Sequence, residues 1–365
     1  MKQRIKRIFS EFKSNPPEAI FINYGGVRDY SFFHVTGLTG GSFEGSSAII
    51  RKDGSCTALI PQLEENTAIR ENKSNRLGLD LQIFKSGKEH IEMLRRELKG
   101  VKKLGINYSG ISVATKQRLQ SELKTGFIDA GAALRSARLI KDEIEISKIK
   151  KAVDIAENAF GKVVDDGIIE TGVRERDIAA ELGYQIQKNG GTQSFPSIIA
   201  FGKNSAEPHY GTGDAKLRRG DFVLIDWGAK FQRYCSDLTR TFVFGRANSK
   251  QQRMLELVED AQEVAFNLMQ DGVNGAAVHS AALDFINKSE FKGRFVHATG
   301  HSLGLEVHDG AGLGREKIEL KEGVVITVEP GIYVKGVGGV RLEDDVLIKK
   351  GGIEKMSRKN RFFEF

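Results

Sequence analysis

The sequence predicts an α+β protein in two domains, a smaller α/β domain over residues 1–131 and a larger α+β domain over 132–365. Three observations carry that prediction. The chain is 365 residues long, more than one hydrophobic core ordinarily serves. Its composition, 40% hydrophobic and 28% charged, is that of a folded chain. Short apolar runs alternate with helical segments before Gly131, whereas beyond Leu134 long helices are followed by strand pairs with glycine-rich turns.

The opening segment Met1–Lys13 is basic, with Ile5, Ile8, Phe9 and Phe12 on one helical face and no apolar stretch of the secretory type. A cytoplasmic protein is expected. No run approaches the ~20 apolar residues that span a bilayer, so no membrane partner is expected either. Ala19–Asn23, Ser47–Ile50, Thr57–Ile60 and Leu104–Asn107 read as strands, and Thr115–Leu123 as a helix. From Leu134 one long charged helix is expected, its apolar stripe built from Ile149, Ala152, Val153, Ala156 and Phe160. Further helices are expected over Val173–Lys188 and Lys250–Met269.

The formal charge of +7 comes from 55 basic residues scattered among 48 acidic ones, without the basic stripe that nucleic-acid binding requires. The two cysteines, Cys56 and Cys235, form no disulfide or metal-binding spacing. Cys235 reads as a small buried strand residue.

Four strands follow in the second domain, over Phe222–Trp227, Leu238–Phe244, Val324–Glu329 and Val340–Ile348. Each brings a carboxylate where core is expected. Asp226 ends one apolar run, and Asp237 begins the returning strand, so a hairpin sets the two opposite each other. Glu329 ends the third strand. Arg341, Glu343 and Asp345 share one face of the fourth by two-residue alternation. Buried carboxylates are costly unless paired or metal-bound.

Three of the seven histidines fall between His297 and His308, with His301 at the centre. Oxygen ligands with one imidazole suit Mn²⁺, Co²⁺ or Zn²⁺, and two ions balance four carboxylates while activating a shared water. Singly, each residue has an ordinary reading as turn former, salt-bridge partner or packed histidine. The ordered set carries the signal.

The motifs Asp226-Trp-Gly-Ala, Ser236-Asp237-Leu-Thr-Arg-Thr, Gly300-His301-Ser-Leu-Gly-Leu-Glu-Val-His308, Glu329-Pro-Gly-Ile-Tyr333 and Val340-Arg-Leu-Glu343-Asp resemble those of the creatinase/prolidase family of metallopeptidases. The likeness extends to Phe33-His-Val-Thr-Gly37 and to the junction Arg138–Glu145. It implies a C-terminal "pita-bread" catalytic domain and two divalent metal ions. Asp226 would then bind one ion, His301 and Glu329 the other, with Asp237 and Glu343 bridging.

The resemblance also places His209, His297 and His308 near a peptide substrate with proline at its second position, with Arg341 contacting ligand carboxylates or the substrate end. His209 and His308 are expected at the scissile carbonyl, and His297 in the proline pocket. Glu329 is expected to carry a proton to the proline nitrogen. A homodimer is implied, with Asp29–His34 of one subunit approaching the neighbour's site.

Many proline dipeptidases carry Pro-Arg shortly after the second histidine, but here His308 is followed by Asp-Gly-Ala-Gly and the nearest arginine is Arg315. That departure favours an Xaa-Pro aminopeptidase over an Xaa-Pro dipeptidase. Methionine aminopeptidases use a similar ligand set but lack a domain like residues 1–131. A peptide-binding relative without activity is the alternative of another class.

Overall fold

The computed structural model describes residues 1–314 and 318–357. It divides into two compact units, Met1–Arg138 and Leu139–Phe365.

In the first unit, a mixed six-stranded sheet is flanked by helices. Its central strand Ala19–Tyr24 pairs antiparallel with Ser46–Arg51 and parallel with Lys103–Ile106. Phe21, Ile49, Leu59 and Leu104 meet Ile91 and Leu94 from one helix in a shared core. The opening helix Lys2–Ser10 buries Ile5, Ile8 and Phe9, as its periodicity requires.

The helices that end the first unit and open the second differ from expectation. The expected continuous helix from Leu134 is two helices, Gly131–Leu139 and Glu143–Asp165. Asp142 breaks the run because its carboxylate accepts from the Glu145 amide, while Glu145 accepts from the Asp142 amide. This capping box starts a new helix. The predicted stripe is buried, and the Trp227 indole donates to Ala156 O over 2.9 Å beside the Phe160 ring.

The strands of this unit are antiparallel. Phe222–Trp227 lies between Leu238–Val243 and Ile198–Phe201. Asp226 pairs with Thr239 instead of Asp237, so the two aspartates are diagonal neighbours on one face, not directly opposite. The same register continues through Ala229–Phe231 and Tyr234–Cys235, so the tight turn at Gln232 and Arg233 fixes which residues face each other.

The last strands also depart from expectation. Val340–Ile348 is not continuous: Gly338–Arg341 pairs with Gly331–Val334, whereas Asp344–Lys349 pairs with Val325–Val328. Pro330 cannot donate to a ladder, and Gly338 turns the chain at φ 144°. Glu329 and Glu343 therefore stand at two facing interruptions. Helices Ser249–Leu268 and Gly275–Asn287 back this region, where Val258, Ala261, Val328, Val340 and Leu342 share a core. No helix among the described residues is long and apolar enough to cross a membrane.

Candidate metal centre

Strand interruptions and hairpin ends deliver the polar side chains to one place. Asp226 leaves the end of its strand, Asp237 precedes Leu238, and Glu329 and Glu343 occupy the two breaks. His301 lies in the two-residue strand Gly300–His301, paired with Gly312–Leu313. Gly300 is required there, since a Cβ would collide with the Thr327 carbonyl.

These five residues line a cavity of about 430 Å³ together with His209, His297, His308 and Arg341. All nine site residues drawn from the sequence thus share one cavity. Ligand atoms of Asp237, His301 and Glu343 lie within 4.8 Å of one another, close enough to hold one metal ion. His301 Nε2 is 3.5 Å from Asp237 Oδ2 and 3.7 Å from Glu329 Oε1.

The electrostatics fit a cation. Burial, reinforced by Glu343, pushes the Glu329 carboxyl up to about 8 and that of Asp237 well above its usual range. Burial also raises Asp226, to about 6, against the opposing pull of Arg341. Buried Asp226 Oδ1 and Asp237 Oδ1 have no hydrogen-bond partner among the described residues. Such acceptors in a cluster of carboxylates are what divalent ions satisfy.

A polar scaffold fixes these groups. Arg341 Nη2 donates to Asp226 Oδ2 at 2.6 Å, its Nη1 to the Tyr333 hydroxyl at 3.0 Å, and its Nε to Thr239 Oγ1 at 3.1 Å. Thr239 in turn donates to Glu343 Oε2. Arg240 holds the Glu343 carbonyl at 2.7 Å and forms a buried ion pair with Asp344 at 2.8 Å. Asp345 accepts from the Asp237 amide.

The histidines divide into two kinds. His297 Nδ1 lies 2.8 Å from Ala298 O, which can only accept, so Nδ1 carries the proton and Tyr333 donates to Nε2 at 2.9 Å. Burial and the Arg341 charge bring its pKa down to about 4, so the ring is neutral. His209 and His308 are exposed at the rim, and burial with the neighbouring His301 lowers the pKa of His308.

The His209 loop is tied down by Glu175. This fully buried carboxylate accepts from Phe201 N, Asn204 Nδ2, the Tyr210 hydroxyl and Gly213 N, at 2.9–3.1 Å.

Sequence reading missed Glu175, Thr239 and Tyr333 as parts of the site. The alternation that placed Arg341 and Glu343 on one face held a signal for Thr239, which shares the face of Asp237. Nothing local marked Glu175. Cys235 is buried, and burial pushes its thiol up to about 12, far from a nucleophile's range.

Residues 147–350 match the model of metallopeptidase family M24, and residues 4–140 match the creatinase/prolidase N-terminal domain. The chain belongs to metallopeptidase family M24.

Its M24 domain accordingly has the mixed α/β pita-bread fold, preceded by a creatinase-type N-terminal domain. This M24 chain is 34% identical to the Xaa-Pro dipeptidase of Pyrococcus horikoshii, over 99% of its own length and 98% of the relative's. Among solved structures it is similar to an X-Pro aminopeptidase from Thermotoga maritima, with TM-score 0.89, 30% identity and 99% of both chains covered. An Xaa-Pro dipeptidase from Bacillus anthracis gives TM-score 0.90 at 28% identity, also with 99% of both chains covered. Asp237, His301 and Glu343 form a group that could hold a metal ion, consistent with a metallopeptidase.

Proposed function

We propose that this metallopeptidase hydrolyses the bond between an N-terminal residue and a following proline, using two divalent ions held by Asp226, Asp237, His301, Glu329 and Glu343. The observation that carries the reading is the convergence of these side chains with three histidines on one cavity whose remaining wall is apolar. Phe195, Ile198, Ala298 and Val307 present no side-chain hydrogen-bonding group there. A prolyl nitrogen is a tertiary amide without N–H, so a pocket selecting it must be shaped and apolar.

Bound ions would supply Lewis-acid polarisation of the carbonyl and an activated water. Asp237 and Glu343 would be shared between the ions, with Asp226 on one side and His301 and Glu329 on the other. Manganese and cobalt suit this oxygen-rich set best, with zinc as the alternative. His297 has both ring nitrogens engaged and shapes the proline side of the pocket. His209 and His308, at the rim, donate toward the substrate carbonyl. Glu329 carries the proton to the departing proline nitrogen. Arg341 orients Asp226 through its 2.6 Å contact.

Residues 132–365 act as the catalytic domain, and 1–131 as the accessory domain of a homodimer. Two free, buried cysteines agree with a cytoplasmic setting.

On substrate length, the relatives shift the balance set by sequence. Two Pyrococcus proteins named Xaa-Pro dipeptidase match at 34% identity over 99% of this chain, which favours dipeptides over the aminopeptidase reading. The second reading keeps one support: Arg341, the arginine among the described cavity residues, is committed to Asp226, Tyr333 and Thr239. Arg315 lies outside the described residues. Hydrolysis of Xaa-Pro against Xaa-Pro-Yaa separates the two. Faster turnover of the dipeptide supports the first reading, faster turnover of the tripeptide the second, and turnover of neither refutes both.

A further inference from the structure

Gln262, fully buried in helix Ser249–Leu268, donates its side-chain amide to two backbone carbonyls, Val328 O at 2.9 Å and Leu342 O at 3.3 Å. Those residues immediately precede Glu329 and Glu343. The strand pairing shows why the location matters. One ladder joins Val325–Val328 to Asp344–Leu347 and the next joins Gly331–Val334 to Gly338–Arg341, leaving residues 329–330 and 342–343 outside both. Gln262 bridges the chain across that gap.

Carbonyl oxygens only accept, so the amide nitrogen must face them. The other amide atom, Oε1, is buried without a hydrogen-bond partner among the described residues. An unpaired buried acceptor is a standing cost to the fold. The same helix contributes Val258, Ala261 and Ala265 to the apolar core, where methionine would serve as well without that cost. A residue that burdens the core yet joins two ligand-bearing breaks points away from packing.

We propose that Gln262 is a positioning residue: it ties together the two backbone points from which Glu329 and Glu343 project and so sets their spacing for divalent ions. Leu342 and Val328 are buried in the core behind it, while Glu329 and Glu343 line the cavity. The amide thus acts from the core side on ligands facing the other way. This rests on the reading of both glutamates as ligands.

The test is calorimetric titration of metal-free full-length protein with Mn²⁺, comparing wild type with Gln262→Met, alongside thermal unfolding without metal. The dissociation constant should rise about tenfold or more, the scale set by outer partners of metal ligands. The metal-free midpoint should stay the same or rise. Unchanged Mn²⁺ affinity in the variant overturns the proposal while leaving the ligand assignment intact. A wild type that takes up no Mn²⁺, Co²⁺ or Zn²⁺ refutes the ligand assignment, and the proposal with it.

Gln262→Asn keeps the amide but shortens its reach, and it decides the matter should the methionine variant fail to fold. Weakened Mn²⁺ binding there supports positioning, and wild-type binding overturns it. Failure of both variants to fold also overturns the proposal, because the residue would then serve the fold itself.

Discussion

Thr239 and Glu343 face each other across an isolated antiparallel bridge, and the threonine hydroxyl donates to Glu343 Oε2 at 2.7 Å. The same hydroxyl accepts from Arg341 Nε, so one small side chain links the arginine that holds Asp226 to a second carboxylate. Thr239→Val keeps the branched shape and removes both bonds. Divalent-ion affinity should fall about 10–100-fold, the usual consequence of losing an outer partner. Titration of the metal-free variant measures it; affinity within twofold of wild type would exclude Thr239 from ordering the site.

Removing the metal should invert the ordinary pH response of the fold. Glu329 is raised to about 8 and Asp226 to about 6, chiefly by burial, while carboxyls in an unfolded chain ionise near ~4. The folded, metal-free protein therefore holds more protons across that window. The stability these two carboxyls contribute is fully present below about pH 4 and is lost as pH rises through 6 and then 8. Melting in chelator should show a midpoint that declines from pH 6 to 8.5, with added divalent ion restoring it most at the upper end. A metal-free midpoint that climbs over this range would contradict the buried cluster.

Glu175 offers a test of the loop carrying His209. Glu175→Gln replaces one acceptor oxygen by a donor, leaving buried groups among Phe201 N, Asn204, Tyr210 and Gly213 without a match. The expected stability loss is about 1–3 kcal/mol. Displacing a substrate-contacting side chain by about an ångström costs up to ~100-fold in rate, so kcat/KM should fall within that range while metal content stays at the wild-type level. In a double variant with His209→Ala the two losses should not add. Full additivity would separate Glu175 from His209.

The site was more legible in the sequence than the paths leading to it. Asp226, Asp237, Glu329 and Glu343 stood out because a carboxylate inside an apolar run is anomalous wherever the strand ends. Strand geometry was less legible. The register placing Asp226 beside Thr239 depends on a hairpin inserted between them, and Gln232 and Arg233, with positive φ, gave no glycine signal for its turn.

The break at Leu342 and Glu343 was hidden because alternation continues smoothly through it; both ladders keep one register, and the interruption lies opposite Glu329 and Pro330, where proline has no N–H to donate. Gln262 and Glu175 were invisible for a simpler reason. Each reads as an ordinary polar residue of an amphipathic helix until tertiary structure shows it fully buried. Asp142 could have been found, since Asp142 with Glu145 is a capping signature overridden here by the helical stripe on either side.

The central claim is that five ligands hold two ions and that hydrolysis of Xaa-Pro bonds depends on them. It is tested most directly by titrating chelated, metal-free protein with Mn²⁺ or Co²⁺ while following release of proline from an Xaa-Pro dipeptide. Activity should be absent at the start, rise with added ion and level off at two equivalents per chain. Asp237→Asn should remain folded and inactive throughout. Undiminished hydrolysis in the metal-free protein, or a plateau at one equivalent, would contradict the account.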